Sequence, residues 1–154
     1  GQSVTFKAPL GLFHLREPSE KRALIAANVS AVGVCHALAK AMLLRQPERH
    51  ITFLFQPKKE SELFWHQELL ALSRTYPNFH HVITVEGPSP RWTGPVGTLI
   101  DHLDPYIGDP ETIEAYIAGL GDVVNAIRDR LMDAGVPKAE IKVERFSTAT
   151  KKKA

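Results

Sequence analysis

Apolar and polar positions along this chain follow two rhythms that take turns. Short runs of apolar residues, the signature of buried strands, occur at Arg22–Ala27, Ile51–Phe55, Phe79–Val85, Thr112–Ala118 and Ile141–Phe146. Longer segments with helical spacing lie between them. Ala31–Arg45 is rich in Ala and Leu, with Ser30 placed to cap it. A helix capped by Ser61 and running to about Arg74 would set Leu63, Phe64, Leu69, Leu70 and Leu72 on one broad face. A short helix is expected near Val96–Leu103, and Asp122–Ala134 ends at Gly135, a residue suited to a helix C-terminus. Glu86–Pro95 holds three prolines and two glycines and reads as a loop. Strict alternation of strand and helix predicts an α/β fold: a three-layer domain with a parallel five-stranded sheet, right-handed crossovers and helices on both faces.

The first residues break this rhythm. Val4–Lys7 is a short alternating stretch, Ala8-Pro9-Leu10-Gly11 is a turn signal, and Phe13–Arg16 reads as a second short strand. Together they look like the trailing edge of a different, all-β unit. The polar segment Glu17-Pro18-Ser19-Glu20-Lys21 then separates them from the first α/β strand. The expected organisation is a β remnant over 1–17, an α/β domain over 18–146 and a basic flexible tail over 147–154. Val4, Phe6, Leu10, Leu12, Phe13 and Leu15 form an apolar set expected to face a partner, or a second copy in a dimer through Val4–Arg16, the alternative being that the segment folds back over its own domain.

Composition narrows the function classes. The 154 residues suffice for one domain, and 44% hydrophobic residues suffice for its core. Net charge is +2, with Lys151, Lys152 and Lys153 in the tail, so the body is near neutral and carries no nucleic-acid footprint. No apolar run reaches membrane-spanning length and no signal peptide is evident, which points to a cytoplasmic protein. The single cysteine, Cys35, excludes an internal disulfide and any all-cysteine metal site. It lies near a helix start that could activate a thiol, although a buried, inert thiol fits an apolar helix better. The seven histidines are scattered, and the adjacent His80 and His81 on a strand point to opposite faces, so no metal site is expected.

Five segments, in order and at matching spacing, resemble the ferredoxin–NADP reductase superfamily, in particular the C-terminal NAD(P)H-binding domain of oxygenase-type reductases. Ala8-Pro9-Leu10-Gly11-Leu12-Phe13-His14-Leu15-Arg16-Glu17 is similar to the GPxGxFxLRE segment that closes the family's flavin domain. Leu63-Phe64-Trp65-His66-Gln67-Glu68-Leu69 resembles its DLFYRDEL helix, and Trp92-Thr93-Gly94-Pro95-Val96-Gly97 its WxGxxG loop. Val124-Asn125-Ala126-Ile127-Arg128-Asp129 resembles the final helix, and Val143-Glu144-Arg145-Phe146 the last strand. The resemblance implies a nucleotide cofactor, NADH or NADPH, laid over two loops. Its hydride would pass to FAD or FMN held by a separate flavin domain or by a larger redox or oxygenase complex.

Both loops depart from the family pattern. The first reads GGTGIAP in the family and Ala27-Asn28-Val29-Ser30-Ala31-Val32-Gly33 here. Asn28 and Ser30, with backbone N–H groups at the helix start, would hold a phosphate if the turn survives; otherwise Ser30 only caps the helix. Val29 is β-branched and tolerates positive φ poorly, which disfavours a tight turn. The second loop reads CGPP in the family and Ala118-Gly119-Leu120-Gly121 here, so a close backbone approach stays sterically open. By the resemblance, Phe146, Ser147 and Thr148 would lie near the nicotinamide. Lys58 and Lys59 stand where the family often has an Arg for the adenosine end, and serve either a 2′-phosphate or a solvated turn. Trp92 is expected to cover a core edge. Two functions follow: a docking or structural subunit of a redox complex with weakened or lost nucleotide binding, or a working NAD(P)H-binding half of a flavin-dependent oxidoreductase, inactive alone. Cofactor-contacting positions in either case are Asn28, Val29, Ser30, Gly119, Leu120, Gly121 and Phe146; no catalytic side chain and no metal ligand is expected.

Overall fold

The structure, a computed structural model, describes residues 1, 3–5, 11–16 and 19–146. Five strands, β1 (Arg22–Asn28), β2 (Ile51–Gln56), β3 (Phe79–Ile83), β4 (Ile113–Leu120) and β5 (Ile141–Phe146), form one parallel sheet in the order β3-β2-β1-β4-β5. The central strands β1 and β4 are buried on both faces, which explains why they read as nearly unbroken apolar runs. Alternate residues then feed two separate cores. Ile25 and Ala27 meet α1 (Val32–Arg45) and α2 (His66–Thr75) through Val32, Cys35, Leu43 and Leu69 on one face. Leu24 and Ala26 meet α3 (Leu99–His102) and α4 (Gly121–Asp133) through Leu99, Val124, Ile127 and Leu131 on the other. The expected three-layer architecture is therefore present, and strand boundaries differ from the expected ones by a residue or two.

Several local expectations are corrected. Ser61 does not start a helix: Glu60–Glu62 is a 3-10 turn and α2 begins at His66. The two glutamates serve the neighbouring loop instead, accepting the Ser89 N–H at 2.6 Å (Glu60) and the Lys58 N–H at 2.8 Å (Glu62). Phe64, expected on the apolar face, is 61% exposed because it precedes the helix. The short helix shrinks to Leu99–His102, started by Asp101, whose carboxylate takes both the Thr98 N–H (2.7 Å) and the Thr98 hydroxyl (2.8 Å). Ser30 is not at the cap of α1: Val29–Ala31 forms a 3-10 turn and Ala31 takes the cap position. The side chain of Ser30 lies outside the described residues.

Phe13–Arg16 is not a strand. No strand among the described residues pairs with it, and the segment lies over its own domain, on the sheet face shared with α1. Phe13 and Leu15 pack on that core; the Phe13 ring stands edge-on to Tyr116, centroids 6.1 Å apart. The Arg16 N–H donates to the Tyr116 hydroxyl at 3.0 Å, and the Arg16 guanidinium reaches Glu140 at 3.1 Å. Val4 and Leu12 remain 80% and 81% exposed. Phe6–Leu10, Glu17, Pro18 and the tail 147–154 lie outside the described residues, and with them most of the expected turn and the expected basic tail.

The Tyr116 hydroxyl continues inward, donating to Glu114 at 2.7 Å, and Glu114 is paired with Arg49 at 2.5 Å. The Arg49 and Glu114 side chains are 4% and 1% exposed. Burial first, and then the Glu114 carboxylate, push the Tyr116 phenol well above its ordinary value. This chain of contacts fastens the leading segment to the middle of the sheet.

Candidate functional site at the carboxyl edge of the sheet

All five strands run the same way, so the turns that follow them gather along one edge. The chain leaves β1 toward β2 through α1 on one face and leaves β4 toward β5 through α4 on the other. Between β1 and β4 the connections diverge, and a crevice opens where open α/β sheets hold ligands. The turns at Asn28–Ser30 and Gly119–Gly121 flank it.

The first turn is tight after all. Val29 sits at φ +46°, the single non-glycine residue at positive φ among those described, so the turn that its branched side chain was expected to disfavour is present. Asn28 before it is extended (φ −113°, ψ 130°), and Ala31 after it is already helical (φ −69°, ψ −12°). The left-handed step is what redirects a strand into a helix within one residue. A β-branched residue held there stores roughly 1–3 kcal/mol of strain. Ala31 at the cap position of α1 has no side-chain hydrogen bond to offer and the first turn holds no acidic residue, so the positive end of the helix faces the edge with no carboxylate of its own.

The second turn depends on its glycine. Gly119 has φ +154°, and a Cβ there would lie 2.7 Å from the Asn28 Cβ. That space is filled by Asn28, which is 2% exposed. Its Oδ1 accepts the Leu120 N–H at 3.4 Å, a donor at the start of α4 that an anion would otherwise claim. Its Nδ2 is buried with no partner, the one such side-chain nitrogen or oxygen among the described residues. Asp122 stands in the first turn of α4, where its charge opposes a second anion.

A groove of about 350 Å³ runs from this point along the edge on the α3–α4 side, lined by Asn28, Gln56, Lys58, Glu86, Thr98 and Ile100, with Leu120, Asp122, Val123 and Ala126. Gln56, 1% exposed, organises its far end: Oε1 accepts the Leu99 N–H at 2.7 Å, and Nε2 donates to the Glu86 carboxylate. Lys58 is exposed at the rim. Thus Asn28, Val29, Gly119, Leu120 and Gly121 come together around the crevice. Phe146 stands opposite Leu120 in the β4–β5 ladder but packs toward the α1-side core. Ser147 and Thr148 lie outside the described residues. Lys59 does not line the groove. Glu86 and Thr98 had no sequence signal beyond ending a strand and starting a helix. Gln56 had one: it is a polar residue closing an apolar strand.

A second cavity, about 340 Å³, opens at the opposite edge between Lys21, Arg22, Gln46, Arg49, His50 and Thr112. Its cations are already used: Arg22 holds the Thr112 hydroxyl and the carbonyls of Tyr106, Ile107 and Asp109, Arg49 holds Glu114, and Lys21 lies 3.6 Å from Glu140. It reads as a structural seam. Cys35 is fully buried and burial pushes its thiol up to about 12, so it is inert. Trp92 covers the core as expected, its indole N–H donating to the Pro95 carbonyl at 2.9 Å. No helix among the described residues is long and apolar enough to cross a membrane.

A five-stranded parallel sheet with two loops converging on its central crevice is a nucleotide-binding type of α/β domain. The chain belongs to the oxidoreductase NAD-binding domain family, whose model matches residues 30–129. Its fold is the one found in the NAD-binding domains of ferredoxin-reductase-like proteins. It is 27% identical over 154 residues to ferredoxin–NADP reductase B of Sorangium cellulosum, covering 95% of this chain and 63% of that protein. It is 24% identical over 149 residues to the electron transfer component of anthranilate 1,2-dioxygenase of Acinetobacter baylyi, covering 95% of this chain and 42% of that one. The chain therefore spans less than two thirds of the length of these relatives. Among solved structures it superposes on the Amycolatopsis cytochrome P450 reductase with TM-score 0.84 at 18% identity, over 93% of this chain and 44% of that one. The cytochrome b5 reductase domain of Ulva prolifera nitrate reductase gives TM-score 0.77 at 20% identity, over 90% and 57%. At these identities the superpositions establish the fold.

Proposed function

We propose that this chain is the nicotinamide-nucleotide half of a flavin-dependent electron-transfer system, with a grip on the nucleotide that Asn28 loosens. The observation that carries the reading is the left-handed Val29: the chain keeps the strained turn a nucleotide loop needs although its glycine is gone. Gly119 keeps the second close approach, and the groove between them provides an apolar wall at Ile100, Leu120 and Val123. Bound there, NADH or NADPH supplies a hydride, which a flavin held by another domain or by a larger redox complex takes up. The chain's own part is to bind and orient. The buried Asn28 side chain fits the nucleotide poorly at one point, because it already occupies the Leu120 N–H. One charge-assisted hydrogen bond forgone is worth ~1.5–3 kcal/mol, roughly ten- to hundredfold in affinity. A cytoplasmic setting, where nicotinamide nucleotides and a reduced thiol coexist, suits this role.

Titration calorimetry of NADH and NADPH into the isolated chain tests it. Binding should be weaker than about 0.1 mM, and Asn28→Gly should tighten it at least tenfold. The second reading, a docking or structural subunit that binds no nucleotide, is favoured by the same Asn28–Leu120 contact. It prevails if neither nucleotide binds the parent chain or Asn28→Gly at millimolar concentration.

A further inference from the structure

Resting on the nucleotide reading above, we infer that the groove selects NADH over NADPH, and that Glu86, set by Gln56, makes the selection. The two ends of the groove differ. At the β1–β4 end stand the left-handed turn at Val29, the start of α1 and the close approach at Gly119. That end suits phosphate. With its phosphates at the crevice, as in open α/β sheets, a dinucleotide would extend its adenosine ribose toward the ends of β2 and β3, where Gln56 and Glu86 line the groove.

At that second end the hydrogen-bonding is already directional. The Leu99 N–H fixes the Gln56 carboxamide, whose Nε2 then holds one oxygen of the Glu86 carboxylate. The other carboxylate oxygen accepts no hydrogen bond among the described residues. A carboxylate held in this way accepts from a ribose hydroxyl and repels a 2′-phosphate, which carries nearly two negative charges. The balance of charge points the same way. The groove is lined by two carboxylates, Glu86 and Asp122, against one ammonium, Lys58. Lys58 and Glu86 are both exposed, but the Glu86 carboxylate is held by the buried Gln56 amide, whereas Lys58 stands on a long four-carbon stem. The rim lysine therefore does not convert the site to a 2′-phosphate clamp.

The test is titration of NADH and NADPH into the full chain, in the Asn28→Gly background so that both affinities are measurable, at low and physiological salt. NADH should bind at least tenfold tighter than NADPH. Glu86→Gln should reduce the ratio to about threefold or less, chiefly by improving NADPH, and Lys58→Ala should widen it. Glu86 is on the surface, so far-ultraviolet circular dichroism should show both variants folded as the parent. Equal or tighter binding of NADPH, or a ratio unchanged by Glu86→Gln, overturns the selection while leaving the nucleotide reading intact. Failure of both nucleotides to bind overturns both.

Discussion

Replacing Val29 by glycine and, separately, by alanine isolates the strain held in the first turn. Both substitutions remove the same γ-methyl groups, so the loss of packing from this half-buried residue cancels in the comparison. What remains is the Cβ. In a right-handed or extended setting, glycine is less stable than alanine by about 0.5–1 kcal/mol, because its unfolded chain is freer. At φ +46° a residue carrying Cβ incurs a penalty of ~1–2 kcal/mol that glycine avoids. The difference reverses the order: glycine should be more stable than alanine by ~0.5–1 kcal/mol. For a domain of this size that is roughly 1–4 °C in Tm. Differential scanning calorimetry with matched urea titrations reads it, and equal m-values would show that the two variants expose the same surface on unfolding and differ in stability alone. If Val29→Ala proves more stable than Val29→Gly by about half a kcal/mol or more, Val29 is not left-handed, and the case for a surviving nucleotide turn falls with it.

Three further outcomes are expected. Gly119→Ala should destabilise the fold by ~2 kcal/mol or more, since a glycine-only φ and a 2.7 Å approach to Asn28 combine; in Asn28→Gly the cost should drop, a non-additivity that urea titration of the double-mutant cycle detects. Arg49→Met should cost about 3–5 kcal/mol by leaving Glu114 charged and buried, and adding Glu114→Leu should recover much of it. His36 and His81 are held below their usual value, chiefly by burial, then by Lys40 for His36 and by His66 for His81. The unfolded chain therefore takes up protons first, and stability should fall as pH drops from about 6.5 toward the lower folded values; His81→Gln, which keeps a partner for the Ser73 hydroxyl, should flatten the urea midpoint over that window.

The architecture was legible from the residues alone, because each strand and helix needed only its own stretch of chain to declare it. Arg22–Asn28 and Ile113–Leu120 are apolar at nearly every position, and a strand of that kind is stable only when helices cover both sides of it. Five such strands separated by helices leave little choice but a parallel, three-layer sheet. The same logic places every strand's closing turn on one edge, so Asn28, Val29, Gly119 and Leu120 follow as neighbours from strand order and direction. The conformation of the first loop did not follow. Intrinsic preference argued against a left-handed Val29, and the surrounding structure overrode it: Asn28 wedged beside Gly119 and the start of α1 together leave the residue between them only that step. Gln56 lies 30 residues from Glu86 and 43 from Leu99; it meets both only because the ends of β2, β3 and α3 converge, and hydrogen bonds between distant segments leave no periodic trace. Phe13–Arg16 carries the residues of a strand, yet a strand exists only beside another, and here the same side chains found the Tyr116 face instead. Local pattern decides which elements form; which groups those elements bring within hydrogen-bonding reach is decided by the assembled fold.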